Sequence, residues 1–97
     1  MFRLRCFLSV AAKDGGGVFV RVLDIPEEPV VGLRVRLSDS EVRKVRRTAP
    51  SSDEGEVNCD VGLVTYEGSR WERIKARYES RGWSLLEEVR GTVDWTE

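Results

Sequence analysis

Alternating apolar and polar residues predict strands along most of this chain. Between Phe2 and Ala12 apolar side chains occupy every second position as far as Val10, the pattern of a strand with one buried face. The run from Val18 to Ile25 is apolar at consecutive positions, which predicts a central strand covered on both faces. Residues 13–17, Lys-Asp-Gly-Gly-Gly, contain an Asp-Gly pair, so we predict a hairpin with a mobile glycine-rich loop.

Three further segments have strand-like patterns. Val30 to Leu37 follows the breaker Pro-Glu-Glu-Pro at 26–29 and sets arginines between apolar residues. Glu56 to Tyr66 alternates, and its apolar face consists of Val57, Cys59, Val61 and Leu63. The C-terminal segment places one more set of apolar residues on a common face, namely Trp83, Leu85, Val89, Val93 and Trp95. We therefore predict a final strand there.

The segment 39–48 fits two structures. Ser38 and Glu41 have capping-box spacing, which favours a short basic helix that begins near Asp39. Alternatively, Ser38 to Ser40 is a tight turn, and Glu41 to Ala49 is a strand with a bulge. The pattern favours the strand only slightly, and both interpretations stay open.

One helix is predicted over about 70–81. Ser69 and Glu72 form an S-x-x-E capping box at its start. Its single apolar stripe consists of Trp71, Ile74 and Tyr78. Gly82 follows where helices commonly turn left-handed, and Trp83 is placed to pack back onto Tyr78.

These elements predict an α+β fold in a single domain, residues 1–97. We expect a twisted antiparallel sheet of five to six strands, with the helix packed across it. A partly closed barrel plugged by the helix is the alternative arrangement. A chain of 97 residues is long enough for one hydrophobic core.

Composition indicates a soluble, folded protein, with 40% hydrophobic and 34% charged residues. There is no run of 18 apolar residues, so no spanning helix is expected. The opening residues resemble a weak secretory signal, with two arginines before a short apolar stretch, but their alternation favours a strand. We therefore expect a cytoplasmic protein.

Charge is segregated along the chain although the net charge is only −1. The segment from Arg34 to Arg47 sums to +4 and the segment from Arg70 to Arg81 to +3, which leaves −8 for the remainder. Two basic groups stand out, the helical row Arg70, Arg73, Arg77 and Arg81 and the earlier group Arg43, Lys44, Arg46 and Arg47. Guanidinium groups bind phosphate and stack on bases, so both groups are candidate sites for nucleic acid or a phosphate ligand. Internal pairing of these charges is the simpler interpretation.

Few residues offer catalytic chemistry, because the chain has no histidine. Strict alternation points Glu87 inward, which makes it a candidate buried carboxylate, although a bulge at 87–88 would return it to solvent. Cys6 and Cys59 fall on apolar strand faces and are expected to be free, buried thiols. Two thiols without histidine do not make a structural zinc site, so we expect no metal and no cofactor.

By elimination, the sequence favours a non-enzymatic module that binds a protein partner or itself, for example as a homodimer. Unprotected sheet edges, at the final strand or at Phe2 to Ala12, would invite pairing. Val30 and Val31, beside Pro29, form a candidate exposed apolar patch. Nucleic-acid or phosphate binding through the arginines is the second hypothesis, and a small enzyme using Glu87 is the third.

Overall fold

The computed structural model describes residues 2–38, 41–50 and 56–91, and within them it is an α+β structure with one helix. Its elements in chain order are β1 (Phe2–Ala12), β2 (Gly15–Ile25), β3 (Arg34–Ser38), β4 (Glu41–Lys44), β5 (Arg47–Pro50), β6 (Glu56–Tyr66), α1 (Trp71–Ser80) and β7 (Ser84–Arg90). The predicted fold class is confirmed.

The seven strands of the described residues form two sheets. The larger has the order β5-β6-β1-β2-β7, and the smaller consists of β3 and β4. The pairs β2/β7, β3/β4 and β5/β6 are antiparallel. Among the described strands β5 and β7 lie at the edges of the larger sheet, which is therefore open and not a closed barrel. The prediction that Phe2 to Ala12 forms an edge is wrong, because β1 lies between β6 and β2.

The chain divides into two compact units, and each has its own buried residues. The first comprises Met1–Phe7 and Arg21–Gly62, and the second comprises Leu8–Val20 and Leu63–Glu97. The buried apolar residues of the first unit are Leu4, Cys6, Val35, Leu37, Val45, Cys59 and Val61. Those of the second are Leu8, Val10, Ala11, Phe19, Trp71, Ile74, Tyr78 and Trp83.

The β1–β2 hairpin is tighter than predicted. Its turn consists of Lys13 and Asp14 alone, and the three glycines at 15–17 belong to β2. All three are buried and pair with β7, so the prediction of a mobile loop over 13–17 is wrong. The Asp-Gly pair correctly predicts the position of the hairpin. The glycines are part of the packed strand β2 and not of a mobile loop.

The ambiguous segment is mostly extended where it is described. Residues 41–44 and 47–50 form β4 and β5, so the helical alternative is wrong for residues 41–48. The single bulged strand predicted over 41–49 is instead two strands in different sheets, with residues 45–46 in neither. Residues 39–40, which belong to the predicted turn, lie outside the described residues. Strand β3 begins at Arg34 and not at Val30, because residues 30–33 form a turn.

Helix α1 ends as predicted, in a Schellman motif. The N–H of Trp83 donates to the carbonyl of Tyr78, and the N–H of Gly82 donates to the carbonyl of Glu79. Gly82 has φ +95°, the left-handed conformation that glycine adopts without a Cβ penalty. The Trp83 ring packs edge-on against Tyr78 at a centroid distance of 6.2 Å. The C-terminal boundary therefore follows from local sequence.

A β-bulge in β7 changes which of its side chains face the helix. Glu87 lies opposite Val18. The next pair joins Leu85 to Phe19, so Leu86 is the extra residue of the bulge. The prediction that Glu87 points inward is wrong, because the bulge interrupts the alternation and the side chain is exposed. Val89, also predicted to be inward, is exposed, and Val93 and Trp95 lie outside the described residues.

No helix in the described part of the chain is long and apolar enough to cross a membrane.

Candidate functional site

The helix N-terminus is capped from the β1–β2 turn. The backbone N–H of Trp71 donates to Asp14 Oδ1 at 2.7 Å, and the residue at the N-cap, Arg70, makes no side-chain cap. The predicted capping box of Ser69 and Glu72 is therefore wrong. A carboxylate at this position also interacts favourably with the positive end of the helix dipole.

Trp71 rests on a surface made by glycines. An added Cβ at Gly15 would lie 2.9 Å from two ring carbons of Trp71, and one at Gly17 would lie 3.2 Å from the ring. Both distances are shorter than ordinary van der Waals contact, so only glycine leaves room for the indole. Phe19 continues the same face and stacks on Tyr78 at a centroid distance of 5.1 Å.

Glu88 binds the helix from β7. Its Oε2 accepts hydrogen bonds from Trp71 Nε1 at 2.8 Å and from Lys75 Nζ at 2.9 Å. The hydrogen bonds from Lys75 and Trp71 lower the pKa of Glu88, and the hydrogen bond to Glu88 raises the pKa of Lys75. Arg90 completes the cluster by an ion pair with Glu72. The acidic residue that matters on β7 is thus Glu88 and not Glu87, and its role is to hold the helix in place.

The helical arginine row is exposed along its length, at Arg70, Arg73, Arg77 and Arg81. The first three make no ion pair with any residue that the structure describes. The aromatics beside them are not available for base stacking, since Trp71 and Tyr78 are each 1% exposed. These arginines therefore offer positive charge without a stacking surface.

The earlier basic group belongs to the first unit, whereas the arginine row belongs to the second. Arg43 pairs with Glu41 at 3.0 Å, while Lys44, Arg46 and Arg47 are exposed. A continuous basic surface formed from both groups stays a prediction.

Two buried thiols lie in the first unit. Cys6 and Cys59 are both free, and both are 0% exposed. Burial raises the pKa of Cys6 to about 12, and it raises that of Cys59 to about 11. Thiols held in the protonated form are poor nucleophiles and poor metal ligands. Within residues 2–38, 41–50 and 56–91, no three histidine, cysteine or acidic side chains are grouped so as to hold a metal.

The buried carboxylate among the described residues is Glu56, which sequence reasoning missed. Arg5 Nη2 lies 2.6 Å from Glu56 Oε1, and the Glu56 side chain is 7% exposed. A paired carboxylate of this kind is structural in its simplest interpretation.

The first unit also presents two valines on a tight turn, which we call the valine turn (residues 30–33). Val30 is 55% exposed and Val31 is 64% exposed. The N–H of Leu33 closes the turn by donating to the carbonyl of Val30 at 3.1 Å. Gly32 has φ +96°, which a type II turn requires at its third position. The exposed patch predicted at Val30 and Val31 is present, and it is ordered.

A groove lies next to the valine turn, between the end of β2 and the start of β3. We call it the β2–β3 groove. It has a volume of about 260 Å³ and is lined by residues 23–27 and 33–36. The apolar residues of its lining are Leu23, Ile25, Pro26, Leu33 and Val35. Sequence reasoning missed the groove because it is formed by two segments that are separate in the chain.

Comparisons of the chain with protein-family models, curated proteins and solved structures find no match.

Proposed function

We propose that this protein is a non-enzymatic, cytoplasmic interaction module that binds a protein surface, its own second copy included, through the valine turn. The observation that carries the proposal is the exposure of Val30 and Val31 on an ordered turn. Turns usually display polar residues, glycine or proline, so adjacent β-branched apolar residues at such a site need another explanation. The free cysteines fit a reducing compartment.

The order of the turn supports a binding role. Backbone hydrogen bonds of 2.8 Å join Gly32 and Leu33 to Val45, whose side chain is buried in the first unit. Pro29, which precedes the turn, is also buried. An apolar projection that is already held in one conformation loses little entropy on binding, which favours affinity.

The edge of the larger sheet at β7 is a weaker candidate for the contact. Leu86 and Val89 are exposed there, but Leu86 is the bulged residue and Glu87 carries a charge beside it. Bulges and charged side chains are the features by which proteins prevent strand pairing at sheet edges. The valine turn has neither.

Site-specific photo-crosslinking tests the proposal. A photoreactive amino acid replaces Val31 in the full chain, which is expressed in its native cells and irradiated. We expect a discrete covalent adduct at this position. The matched control carries the same amino acid at Glu79, an exposed residue on α1 in the second unit, and should give no such adduct. Equal labelling at the two positions, or none at Val31, would overturn the proposal.

A second candidate function is binding of nucleic acid through the arginine row. It is favoured by the exposure of Arg70, Arg73 and Arg77 and by their lack of ion pairs with described residues. Two observations weaken it: the net charge is −1, and the neighbouring aromatics are buried. Any binding would be electrostatic and would not read sequence.

Fluorescence anisotropy of labelled single- and double-stranded oligonucleotides tests this second candidate. Binding through the row should weaken steeply between about 50 and 200 mM salt. It should also weaken in the double variant Arg73→Gln, Arg77→Gln. No binding at low salt would exclude this function.

A further inference from the structure

We propose that the partner of the valine turn is a second copy of this chain, in a two-fold pair in which the turn of each copy enters the β2–β3 groove of the other. This inference rests on the proposed function and names the partner for the same surface. In such an isologous interface one patch of surface contacts its own copy, so it must carry both the projection and the cavity that receives it.

The first unit carries both features side by side. The turn supplies two exposed valines, and the groove supplies an apolar lining in a volume of about 260 Å³. Val30 and Val31 do not line the groove of their own chain. The groove is lined by the residues before them, up to Glu27, and by the residues after them, beginning with Leu33. They are therefore free to enter the groove of another molecule. Because the turn and the groove are adjacent, a two-fold axis between them would place each turn in the groove of the opposite copy.

The groove lining carries both signs of charge, with Asp24 paired to Arg3 and Glu27 and Arg34 exposed, so the contact with a second copy depends on Arg34. Glu28 precedes the valine turn, and Arg34 lies on the rim of the groove. Both side chains are exposed, and neither makes an ion pair with a described residue. When the turn of one copy enters the groove of the other, Glu28 approaches Arg34 of the opposite copy, and the symmetry forms this contact twice. A second copy thus covers the exposed valines with an apolar lining and pairs Glu28 with Arg34.

Charge exchange tests the pairing by sedimentation equilibrium. In Glu28→Arg alone, or in Arg34→Glu alone, like charges meet at both contacts. We expect the dimer dissociation constant to rise about tenfold in each. In an equimolar mixture of the two variants every contact joins opposite charges, so the mixture should form heterodimers with the affinity of the unmodified chain. Failure of the mixture to recover would overturn the proposed pairing.

Valine substitution tests the apolar contact. We expect Val31→Ser to raise the dissociation constant roughly a hundredfold, because two buried valines are lost in each dimer. Leu63→Ser is the matched control, since Leu63 is 43% exposed, belongs to the second unit and does not line the groove. Circular dichroism of every variant verifies the fold. An equal effect of the two serine variants would overturn the inference.

The crosslinking and sedimentation results separate this inference from the function on which it rests. An adduct at Val31 with a mass of twice 11.0 kDa supports both. An adduct of another mass, with a monomeric chain in sedimentation, leaves the proposed function in place and overturns the second copy as partner. Open-ended assembly beyond two copies would overturn the two-fold arrangement. No adduct and no dimer would overturn both.

Discussion

Gly17 shows how strongly a single position is constrained by its neighbours. An added Cβ there would be too close to the backbone carbonyl of Glu87 and 3.0 Å from a side-chain carbon of Leu85. A backbone atom of a paired strand moves little, so the added carbon has no simple way to be accommodated.

We expect Gly17→Ala to lower the free energy of unfolding by about 1–3 kcal/mol, the usual cost of overpacking. Gly68→Ala is the control, because nothing lies within 4 Å of an added Cβ at Gly68 and its φ is not positive. Chemical denaturation followed by tryptophan fluorescence compares the two. Equal stabilities would contradict the close approach of β7 to Gly17.

The cap of the helix gives a second prediction at the residue scale. Asp14→Ala removes the acceptor of the Trp71 N–H and should cost about 0.5–2 kcal/mol of stability. Ser69→Ala should change stability by less than ~0.5 kcal/mol, because Ser69 is not the cap. Thermal unfolding of both variants gives the answer. A larger loss of stability in Ser69→Ala than in Asp14→Ala would support the capping box that the sequence predicts.

At the scale of elements, β7 and the helix are joined by Glu88, and this contact depends on pH. The folded-state pKa of Glu88 is lowered, first by its hydrogen bond from Lys75 and then by that from Trp71. A group with a lowered folded pKa stabilises the fold above its unfolded pKa, and this contribution is lost as the pH falls through the folded value.

We therefore expect Glu88→Gln to destabilise the protein at pH 7, where the carboxylate is charged. The difference from the unmodified chain should shrink as the pH falls below about 4.3, the ordinary pKa of glutamate, toward pH 3. Urea denaturation at several pH values measures it. Glu87→Gln is the matched control, because Glu87 is exposed, and it should show no such trend. A Glu87 effect larger than that of Glu88 would contradict the position of the bulge.

The elements differ in how well the sequence predicts them, and the difference is physical. Helix α1 and its C-terminus were predictable because the apolar stripe and Gly82 act within a few residues. The start of the helix was predicted to within one residue, but its cap was not, because Asp14 is 57 residues away in the chain. In β6, Gly62 has φ +117°, which interrupts the alternation and leaves Leu63 43% exposed. Bulges and glycine kinks change which residues face the core, but the apolar–polar alternation in the sequence does not show where they occur.

Some features of the candidate site also follow from local sequence, whereas others depend on segments that are distant in the chain. The exposed patch was predictable from the adjacent Val30 and Val31 beside Pro29, but the turn was not, because the pattern predicts a strand from Val30. The β2–β3 groove was also not predictable, since it depends on where β3 begins. The exposure of the arginine row follows from helical spacing, whereas the burial of Glu56 depends on its pairing with Arg5 from another strand.

At the scale of the whole molecule, the two compact units carry different natural probes. Both cysteines belong to the first unit, and the buried tryptophans Trp71 and Trp83 belong to the second. Strands β1, β2 and β6 each contribute residues to both units, so the chain is continuous between them at three strands. We therefore expect one cooperative unfolding transition, in keeping with the predicted single domain.

Thiol labelling and tryptophan fluorescence test this expectation in the same denaturant series. Cys6 and Cys59 should resist alkylation at pH 8 in the native protein, because both are buried and their pKa values are raised to about 12 and about 11. Labelling should begin at the denaturant concentration at which fluorescence changes. Cysteines that react well before that point would indicate that the first unit opens on its own.

The position of the helix cap has a consequence for how this chain tolerates rearrangement. The tip of a two-residue hairpin is normally among the safest places to insert a tag or to open a circular permutant. Here the tip is Lys13 and Asp14, and the side chain of Asp14 caps the first residue of a helix that begins 57 residues later in the chain. Lengthening this turn would move the carboxylate and leave the helix without its first hydrogen-bond acceptor. Gly68, in the exposed turn before the helix with open space around it, is the more permissive place to interrupt the chain.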